Sequence, residues 1–280
     1  MKIVSILCVL TLLFGCSTEP RIDKSFTSRS QSDRIKFIII HYTFGDQANS
    51  LETLTQTDVS SHYLLTDSEK PFFYELVDES RQANHAGLSS WKIYNQLNAA
   101  SIGIEIVNLG FIDTSEGRAW YPYPQAQTDQ LILLLKKLVS RYNINPENIL
   151  GHNEIAPQRK QDPGPMFPWK KLADAGLISW PDQNRVAEFL PQYQTQLPDI
   201  FWFQKKLAQH GYAIPQTGVL DQETRNVLVA FQSRYRQSLF DGNPDAETAA
   251  ILEVLTASIF LPPVKTEKIF RAITPVNSQY

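Results

Sequence analysis

The stretch FIIIH, residues 37–41, decides the fold because it places four large apolar residues directly before a histidine. A continuous β-branched run of this kind, over residues 35–40, predicts a strand that is buried on both faces of a sheet. The segment SIGIEIVN, residues 101–108, predicts another apolar strand, with the carboxylate of Glu105 in its middle. The chain is therefore expected to fold around a buried sheet that carries polar side chains.

Shorter strands and helices are predicted around these two segments. They are strands at 63–65 and 72–77, a helix at 127–142 with Thr128 as its N-cap, an apolar pair at 149–150 that leads into His152, and a short helix opened by Pro168 and closed by Gly176. Strands interleaved with helices indicate an α/β domain of about 150 residues.

The composition limits the class of protein. A chain of 280 residues, 42% of them hydrophobic, is long enough for one sizeable core and a smaller unit. The formal net charge is only −3, and acidic and basic residues are interspersed. Nucleic-acid binding usually requires a basic patch, so no nucleic-acid partner is expected.

Residues 1–15 have the pattern of a bacterial export signal. Lys2 supplies a positive charge, and the apolar stretch at 3–14 is too short to span a bilayer comfortably. The segment LFGC that follows resembles a lipobox, in which Cys16 is lipidated and becomes the first residue of the mature chain. The alternative is an ordinary secretory signal with an incidental cysteine.

The mature chain is expected to be an outer-membrane lipoprotein that faces the periplasm. Ser17, directly after Cys16, is compatible with sorting to that membrane, and residues 16–32 are polar enough to form a flexible tether. The only other cysteine, Cys8, lies in the signal peptide, so no disulfide is available. Packing, with a metal, must supply the stability.

A second, smaller domain is predicted toward the C-terminus. A linker at 181–197 leads into this domain, its helices are at 199–210, 222–236 and 246–258, and a tail at 259–280 follows it. Asp221 and Asp245 each begin an Asp-x-Glu-Thr signature, which suits an N-cap followed by an acidic residue in the first turn. Residues 198–258 are therefore expected to form a compact three-helix domain.

Three metal-type ligands lie at the ends of separate structured segments. His41 follows FIII, His152 lies in ILGHNE, and Asp162 lies in KQDPGP. Two imidazoles and one carboxylate make an open zinc site, whose fourth position is left for water. The spacing alone supports this site only weakly, because it lacks a compact ligand motif and isolated histidines are mostly structural or surface residues.

Glu105 is the candidate base for that water. It shares one face of its strand with Gly103 and Val107, and a carboxylate in an apolar strand is costly unless it is paired or near a cation. Gly103 leaves room beside it for a substrate or another backbone. The alternative roles for Glu105 are a salt bridge and a solvent-facing position.

Several ordered motifs resemble the amidase-2 family, the zinc N-acetylmuramoyl-L-alanine amidases, which are related to peptidoglycan recognition proteins. The motifs are FIIIHYT, SHYLL, NHAGLSSW, SIGIEIVN and ILGHNEIAPQRKQDPGPMFPW, and together they cover nearly all of residues 33–180. The resemblance implies a mixed central sheet flanked by helices. It also implies hydrolysis of the amide that joins the muramic acid lactyl group to L-alanine of the stem peptide, in cell-wall degradation or recycling.

The resemblance also assigns roles to single residues. It implies zinc bound by His41, His152 and Asp162, with Glu105 as general base. Lys160 matches the family lysine that stabilises the oxyanion, although a solvated loop lysine is the alternative.

Three further histidines have less definite roles. His85 matches a family histidine near the substrate cleft and is expected either to contact muropeptide or to hold its loop. His62 and His210 are expected to be structural.

The C-terminal segment resembles the peptidoglycan-binding domain 1 family, through Gly211-Tyr212, Thr217-Gly218, Leu220-Asp221, Thr224 and Ala230-Phe231-Gln232. Peptidoglycan or muropeptides are the expected partners, and the chain is expected to act as a monomer. Two alternatives stay open at this point: a binding-only peptidoglycan recognition protein, and a zinc peptidase that cuts within the stem peptide.

Overall fold

The computed structural model describes residues 19–257. The predicted signal peptide with Cys16 and the predicted tail at 259–280 lie outside these residues. Residues 19–32 are exposed and contain no helix or strand, and the described residues from 33 onward belong to one folded unit. Among the described helices, none is long and apolar enough to cross a membrane.

Short strands and helices alternate through the described chain. The strands are β1 (Phe37–Tyr42), β2 (Tyr63–Leu65), β3 (Phe73–Glu75), β4 (Ser90–Trp91), β5 (Tyr94–Asn95), β6 (Ser101–Ile106), β7 (Phe111–Thr114), β8 (Gly117–Trp120) and β9 (Ile149–Gly151). The helices are α1 (Gln47–Gln56), α2 (Gln125–Tyr142), α3 (His152–Ile155), α4 (Trp169–Asp174), α5 (Gln183–Thr195), α6 (Ile200–His210), α7 (Gln222–Tyr235) and α8 (Ala246–Ala257).

The central sheet has five strands in the order β3–β2–β6–β1–β9. Strands β2, β6, β1 and β9 are parallel, and β3 pairs antiparallel with β2 at one edge. Two separate hairpins, β4–β5 and β7–β8, lie outside this sheet. The mixed sheet with flanking helices confirms the predicted fold class.

Strand β1 is buried on both faces, as its apolar run predicts. Ile38 and Ile40 belong to a core that includes Leu131 and Leu135 of α2. On the opposite face, Phe37 and Ile39 belong to a core that includes side chains of α6, α7 and α8. Each fully buried isoleucine contributes about 1.5–3 kcal/mol, so both helical layers stabilise this strand.

The register of β1 against β6 brings two predicted site residues together. The strands are parallel, and His41 lies directly opposite Glu105. On the other side of β6, Glu105 lies opposite the buried Leu64 of β2. The strands therefore place the imidazole and the carboxylate side by side before any loop contributes.

Aspartates cap the beginnings of helices α7 and α8, as predicted. Asp221 accepts a hydrogen bond from the Thr224 amide at 2.8 Å, and Asp245 accepts one from the Thr248 amide at 2.9 Å. The predicted N-cap of α2 is wrong. This helix starts at Gln125, so Thr128 lies in its first turn and donates its hydroxyl to the Pro124 carbonyl.

Helix α5 lies within the segment that was expected to be a linker. Its side chains Val186 and Tyr193 are buried in the same core as α6, α7 and α8, and Tyr193 donates a hydrogen bond to Glu253 of α8 at 3.1 Å. We refer to α5–α8 as the C-terminal helices. Phe37 and Ile39, which share one face of β1 with His41, belong to the same core as these helices.

Candidate metal centre

Three buried side chains converge beside the ends of β1 and β9. His41 lies in β1, His152 is the first residue after β9, and Asp162 lies in the following loop, where its carbonyl accepts the Asn153 amide at 2.8 Å. The Nδ1 atoms of His41 and His152 are 2.9 Å apart, and each is 3.0 Å from Oδ2 of Asp162. The structure therefore brings all three predicted ligands together, in a group that is suited to hold a metal ion.

Hydrogen bonds away from the cluster determine which nitrogen of His41 carries its proton. Ser101 donates its hydroxyl hydrogen to the Leu97 carbonyl at 2.6 Å, so its oxygen accepts from Nε2 of His85 at 3.1 Å. Nδ1 of His85 is then the acceptor for Nε2–H of His41, at 3.0 Å. Nδ1 of His41 is therefore left with a free lone pair that points into the cluster.

His152 reaches the same state by a shorter route. Its Nε2 lies 3.2 Å from the Ala86 carbonyl, which only accepts, so this nitrogen carries the hydrogen and Nδ1 carries the lone pair. Two lone pairs and a carboxylate that face one another repel unless a cation lies among them. Ligands about 2.0–2.2 Å from a tetrahedral zinc lie roughly 3.3–3.5 Å apart, only slightly farther than here, so the donor set fits this metal.

The protonation of the ligands also favours a metal. Burial, with the nearby His152, lowers the pKa of His41 to about 4, so this imidazole is neutral at physiological pH. Burial raises the pKa of Asp162, but positive charge and hydrogen bonds from His152 and His41 lower it below its ordinary value, and a cation bound in place of those protons acts in the same direction. Neutral imidazoles and an ionised carboxylate are the forms that metals bind.

Glu105 lies next to the cluster without belonging to it. Its Oε1 is 4.0 Å from Nδ1 of His41, and its buried Oε2 has no hydrogen-bond partner among residues 19–257. Burial and the nearby Asp162 raise the pKa of Glu105 well above its usual value, although Lys160 acts in the opposite direction. This carboxyl group is therefore available to exchange a proton beside the metal ligands.

A cavity of about 220 Å³ opens onto the cluster. It is lined by His41, His152, Asp162 and Glu105 together with Tyr42, Thr43, Phe44, Ser50, Thr53, Leu54, Val59, Ser60, Asn84, His85 and Lys160. Lys160 is partly exposed, and no carboxylate in the described chain forms an ion pair with it. The cavity thus combines a metal-type ligand set, a carboxyl group and a free ammonium group.

The comparisons with known proteins agree with this geometry. Residues 31–165 match the family model of N-acetylmuramoyl-L-alanine amidase, and residues 196–252 match that of a putative peptidoglycan binding domain. The chain is 40% identical to N-acetylmuramoyl-L-alanine amidase AmiD of Escherichia coli strain K12 over 258 residues, which cover 87% of this chain and 93% of AmiD. The chain belongs to the N-acetylmuramoyl-L-alanine amidase family. Its reaction is hydrolysis of the amide between the muramic acid lactyl group and L-alanine, as the resemblance implied.

Solved structures extend the similarity over both parts of this amidase. The complex of Escherichia coli AmiD with anhydro-N-acetylmuramic acid-L-Ala-D-γ-Glu-L-Lys superposes with a TM-score of 0.77 and 39% identity, over 85% of this chain and 94% of AmiD. Pseudomonas aeruginosa AmpDh3 in complex with anhydromuramic pentapeptide gives a TM-score of 0.79 and 35% identity, over 85% of this chain and 98% of AmpDh3. The fold that this chain shares with AmiD and AmpDh3 therefore includes the C-terminal helices as well as the sheet.

His85 lies at the candidate site, as its motif indicated, and it also packs against Gly103, which the motif did not indicate. It lines the cavity, and its ring also occupies the space above Gly103, where an added Cβ would lie 2.4 Å from the ring. The space that Gly103 leaves is therefore taken by the imidazole, not by another backbone.

The other histidines make contacts typical of structural residues. Both ring nitrogens of His62 meet the main chain, at the Gly103 amide and the Arg81 carbonyl. His210 ends α6 and lies against the aromatic rings of Trp91, Phe231 and Tyr235. Ser101 was missed as a site residue, because nothing in its local sequence links it to a histidine sixteen residues earlier.

Proposed function

We propose that this amidase is a zinc enzyme whose metal is held by His41, His152 and Asp162. The observation that carries the proposal is the cluster of two lone-pair nitrogens and one carboxylate oxygen within 3.0 Å of one another. Three protein ligands with one open position are typical of catalytic zinc. When bound, zinc supplies Lewis-acid polarisation of the scissile carbonyl and lowers the pKa of a water molecule.

Glu105 is proposed as the general base. Its carboxylate accepts a proton from the water that attacks the lactyl carbonyl, and it returns that proton to the nitrogen of the departing L-alanine. The raised pKa of Glu105 makes it a good proton acceptor, and a cation at the neighbouring ligands favours its ionised form before the reaction. Its unpaired Oε2 leaves one oxygen available for the transfer.

Lys160 is proposed to stabilise the oxyanion that develops on the carbonyl oxygen. It lines the same cavity as Glu105 and the three ligands, and its ammonium group is not paired with a described carboxylate. Preorganised positive charge of this kind stabilises the transition state more than the substrate. His85 is proposed to hold His41 in its metal-binding tautomer and to border the bound muropeptide.

Anhydromuramyl peptides are the proposed substrates, with the glycan strand of peptidoglycan as the wider partner. The structures of two similar proteins, AmiD and AmpDh3, were solved in complex with anhydromuramyl peptides. The match of residues 196–252 to a putative peptidoglycan binding domain supports a role for this segment in contacting cell-wall material. Nucleic acid is not a proposed partner, because the net charge is −3.

The organisation of the whole chain is proposed as a lipoprotein with two domains. Residues 1–15 would be removed, and Cys16 would carry the lipid that holds the chain at the outer membrane. Residues 16–32 would tether the amidase domain at 33–180, and the domain at 198–258 would follow in the same monomer. A Cys16→Ser variant tests this: it is expected in the soluble periplasmic fraction, and retention in outer-membrane vesicles would contradict lipid anchoring.

The reaction is tested by mass spectrometry of products from a defined anhydromuramyl peptide. The expected products are an intact peptide with a new N-terminal L-alanine and a sugar that keeps its lactyl carboxylate. A chelator should abolish both products, and added zinc should restore them. Fragments cut within the peptide would indicate a peptidase, and zinc-loaded protein that binds the substrate but releases nothing would indicate a recognition protein.

The base is tested separately with Glu105→Gln. This change keeps the three ligands, so zinc content by elemental analysis should equal that of the parent, while turnover falls roughly 10²–10⁴-fold. Glu75→Gln, on the exposed side of the edge strand β3, is the matched control and should leave both quantities unchanged. Turnover by Glu105→Gln at the parent rate would remove Glu105 from the mechanism.

A further inference from the structure

The C-terminal helices place a buried cation against the turn that carries His152. Arg234 of α7 is 2% exposed, and its Nη1 donates to Oε2 of Glu154 at 2.7 Å and to the Ile149 carbonyl at 3.0 Å. Its guanidinium group also lies over the ring of Trp169, 4.3 Å from the centroid. Arg234 thus joins α7 to both the last strand of the sheet and the helix that follows it.

Glu154 in turn fixes the beginning of that helix. Its Oε2, the oxygen that Arg234 binds, accepts the Gly151 amide at 2.7 Å. This bond closes the turn from Gly151 to Glu154, and His152 lies inside it as the first residue of α3. The amide of Asn153, two residues after Gly151, donates to the Asp162 carbonyl at 2.8 Å, so the same turn also holds the loop of the third ligand.

This ion pair is enclosed on all sides, which gives it a large effect when one partner is lost. Glu154 is 1% exposed, and no other cation forms an ion pair with it within the described residues. Removing one member of a buried pair leaves an unpaired charge, which is strongly destabilising locally. Glu154 would then turn toward water and release the Gly151 amide, and the direction of the His152 imidazole would no longer be fixed.

We propose that Arg234 is a positioning residue for the metal centre, and that the C-terminal helices complete this centre in addition to any role in binding cell-wall material. The proposal rests on the proposed function, since it takes His152 and Asp162 as ligands. It assigns to the C-terminal helices a structural role in the reaction at the metal centre. The effect passes from Arg234 through Glu154 and Gly151 to His152.

The test compares two buried arginines of the same region in the full chain. Arg236 is also buried, but it pairs with Asp245 and Glu247 of the C-terminal helices and makes no described ion pair or side-chain hydrogen bond outside them. Arg234→Met and Arg236→Met therefore each remove one buried arginine charge, although the partners of Arg236 lie nearer the surface, with the Asp245 side chain 32% and the Glu247 side chain 51% exposed. Zinc affinity is measured by competition with a chromophoric chelator, ligand geometry by the visible spectrum of the cobalt-substituted protein, and kcat and KM by product release.

Arg234→Met is expected to weaken zinc binding roughly 10- to 100-fold, the range found when groups that orient metal-bound histidines are removed. Its cobalt spectrum should change, and kcat should fall more than KM rises when zinc is saturating. Arg236→Met should lower the melting temperature while leaving zinc affinity and the cobalt spectrum at the parent values. Arg234→Lys keeps the charge but not both hydrogen bonds, so an intermediate zinc affinity is expected.

Equal zinc affinities and spectra for folded Arg234→Met and Arg236→Met would overturn the proposal. If Arg234→Met does not fold, Arg234→Lys decides: parent-like zinc affinity and spectrum there would equally refute it. Failure of the proposed function is distinguishable, because the parent protein itself would then bind no zinc or release no peptide.

Discussion

Replacing Ser101 by alanine tests the hydrogen-bond chain that sets the tautomer of His41. Ser101 is fully buried, and its hydroxyl is the only described group that bonds Nε2 of His85. Without it, His85 can move its hydrogen to Nδ1 and donate to Nε2 of His41. His41 would then carry its own hydrogen on Nδ1, the atom that faces the other two ligands.

The magnitude follows from the bonds that are lost. A neutral hydrogen bond contributes about 0.5–1.5 kcal/mol, and a buried donor left without a partner costs about 1–3 kcal/mol. The His41 tautomer that binds zinc should be disfavoured by a similar free energy, since the tautomer with hydrogen on Nδ1 must lose that hydrogen before zinc can bind. A loss of about 1.4–2.7 kcal/mol corresponds to a roughly 10- to 100-fold rise in the dissociation constant of zinc.

The assay is a zinc competition titration at pH 7.5, with circular dichroism to verify folding. Ser61→Ala is the matched control, because Ser61 is equally buried and its hydroxyl has no hydrogen-bond partner in the described residues. Ser61→Ala should bind zinc like the parent. If Ser101→Ala also binds zinc with the parent affinity, the tautomer of His41 is not set by this chain of bonds and the reasoning fails.

Three other changes have defined outcomes. Lys160→Met should lower kcat roughly 10²–10³-fold at unchanged zinc content, because the proposed role of Lys160 is to place positive charge beside the oxyanion. A kcat equal to that of the parent would contradict this role. Gly151→Ala puts a Cβ 2.6 Å from Oδ1 of Asn153 and 2.7 Å from Cδ of Pro163, so it should weaken zinc binding and lower the stability. Gly45→Ala is the control and should change neither quantity, because the nearest atom to its added Cβ is 3.8 Å away. Burial lowers the pKa of His210 to about 3, so the unfolded chain binds an extra proton between pH 6.5 and that value. The free energy of unfolding therefore decreases as pH falls, by up to about 1.4 kcal/mol per unit. Urea titrations at several pH values should show a shallower decrease for His210→Phe, and equal slopes would contradict this origin.

The parts of the fold with a strong local pattern could be predicted from the sequence. The apolar residues of β1 and β6 leave little choice, since residues 37–40 carry no polar side chain and isoleucine occupies every second position of β6. Helix α1 was missed because only Ser50 and Leu54 among its residues are buried, so its apolar stripe is too narrow to recognise. Helix α5 was missed because it contains Pro191 and is rich in glutamine.

The site was predictable only as far as the residue types and the family motifs reach. The three ligands and Glu105 lie in recognisable motifs at strand ends, and the structure brings them together. The contacts of Ser101 and Arg234 depend on how distant segments pack, and neither residue carries a local signal. Such supporting contacts form only after the sheet and the C-terminal helices have met.

Packing selects the strand register that positions Glu105, and this has a chemical consequence. In the observed register, Ile104 and Ile106 face the core beneath α2, and Glu105 faces the side of His41. A slip of one residue would turn Glu105 into that apolar core, where an unpaired carboxylate costs several kcal/mol. Hydrophobic burial therefore excludes the wrong register, and no hydrogen bond to Oε2 is needed to hold the carboxylate in place. The group proposed to take up a proton during the reaction can consequently remain free of competing partners.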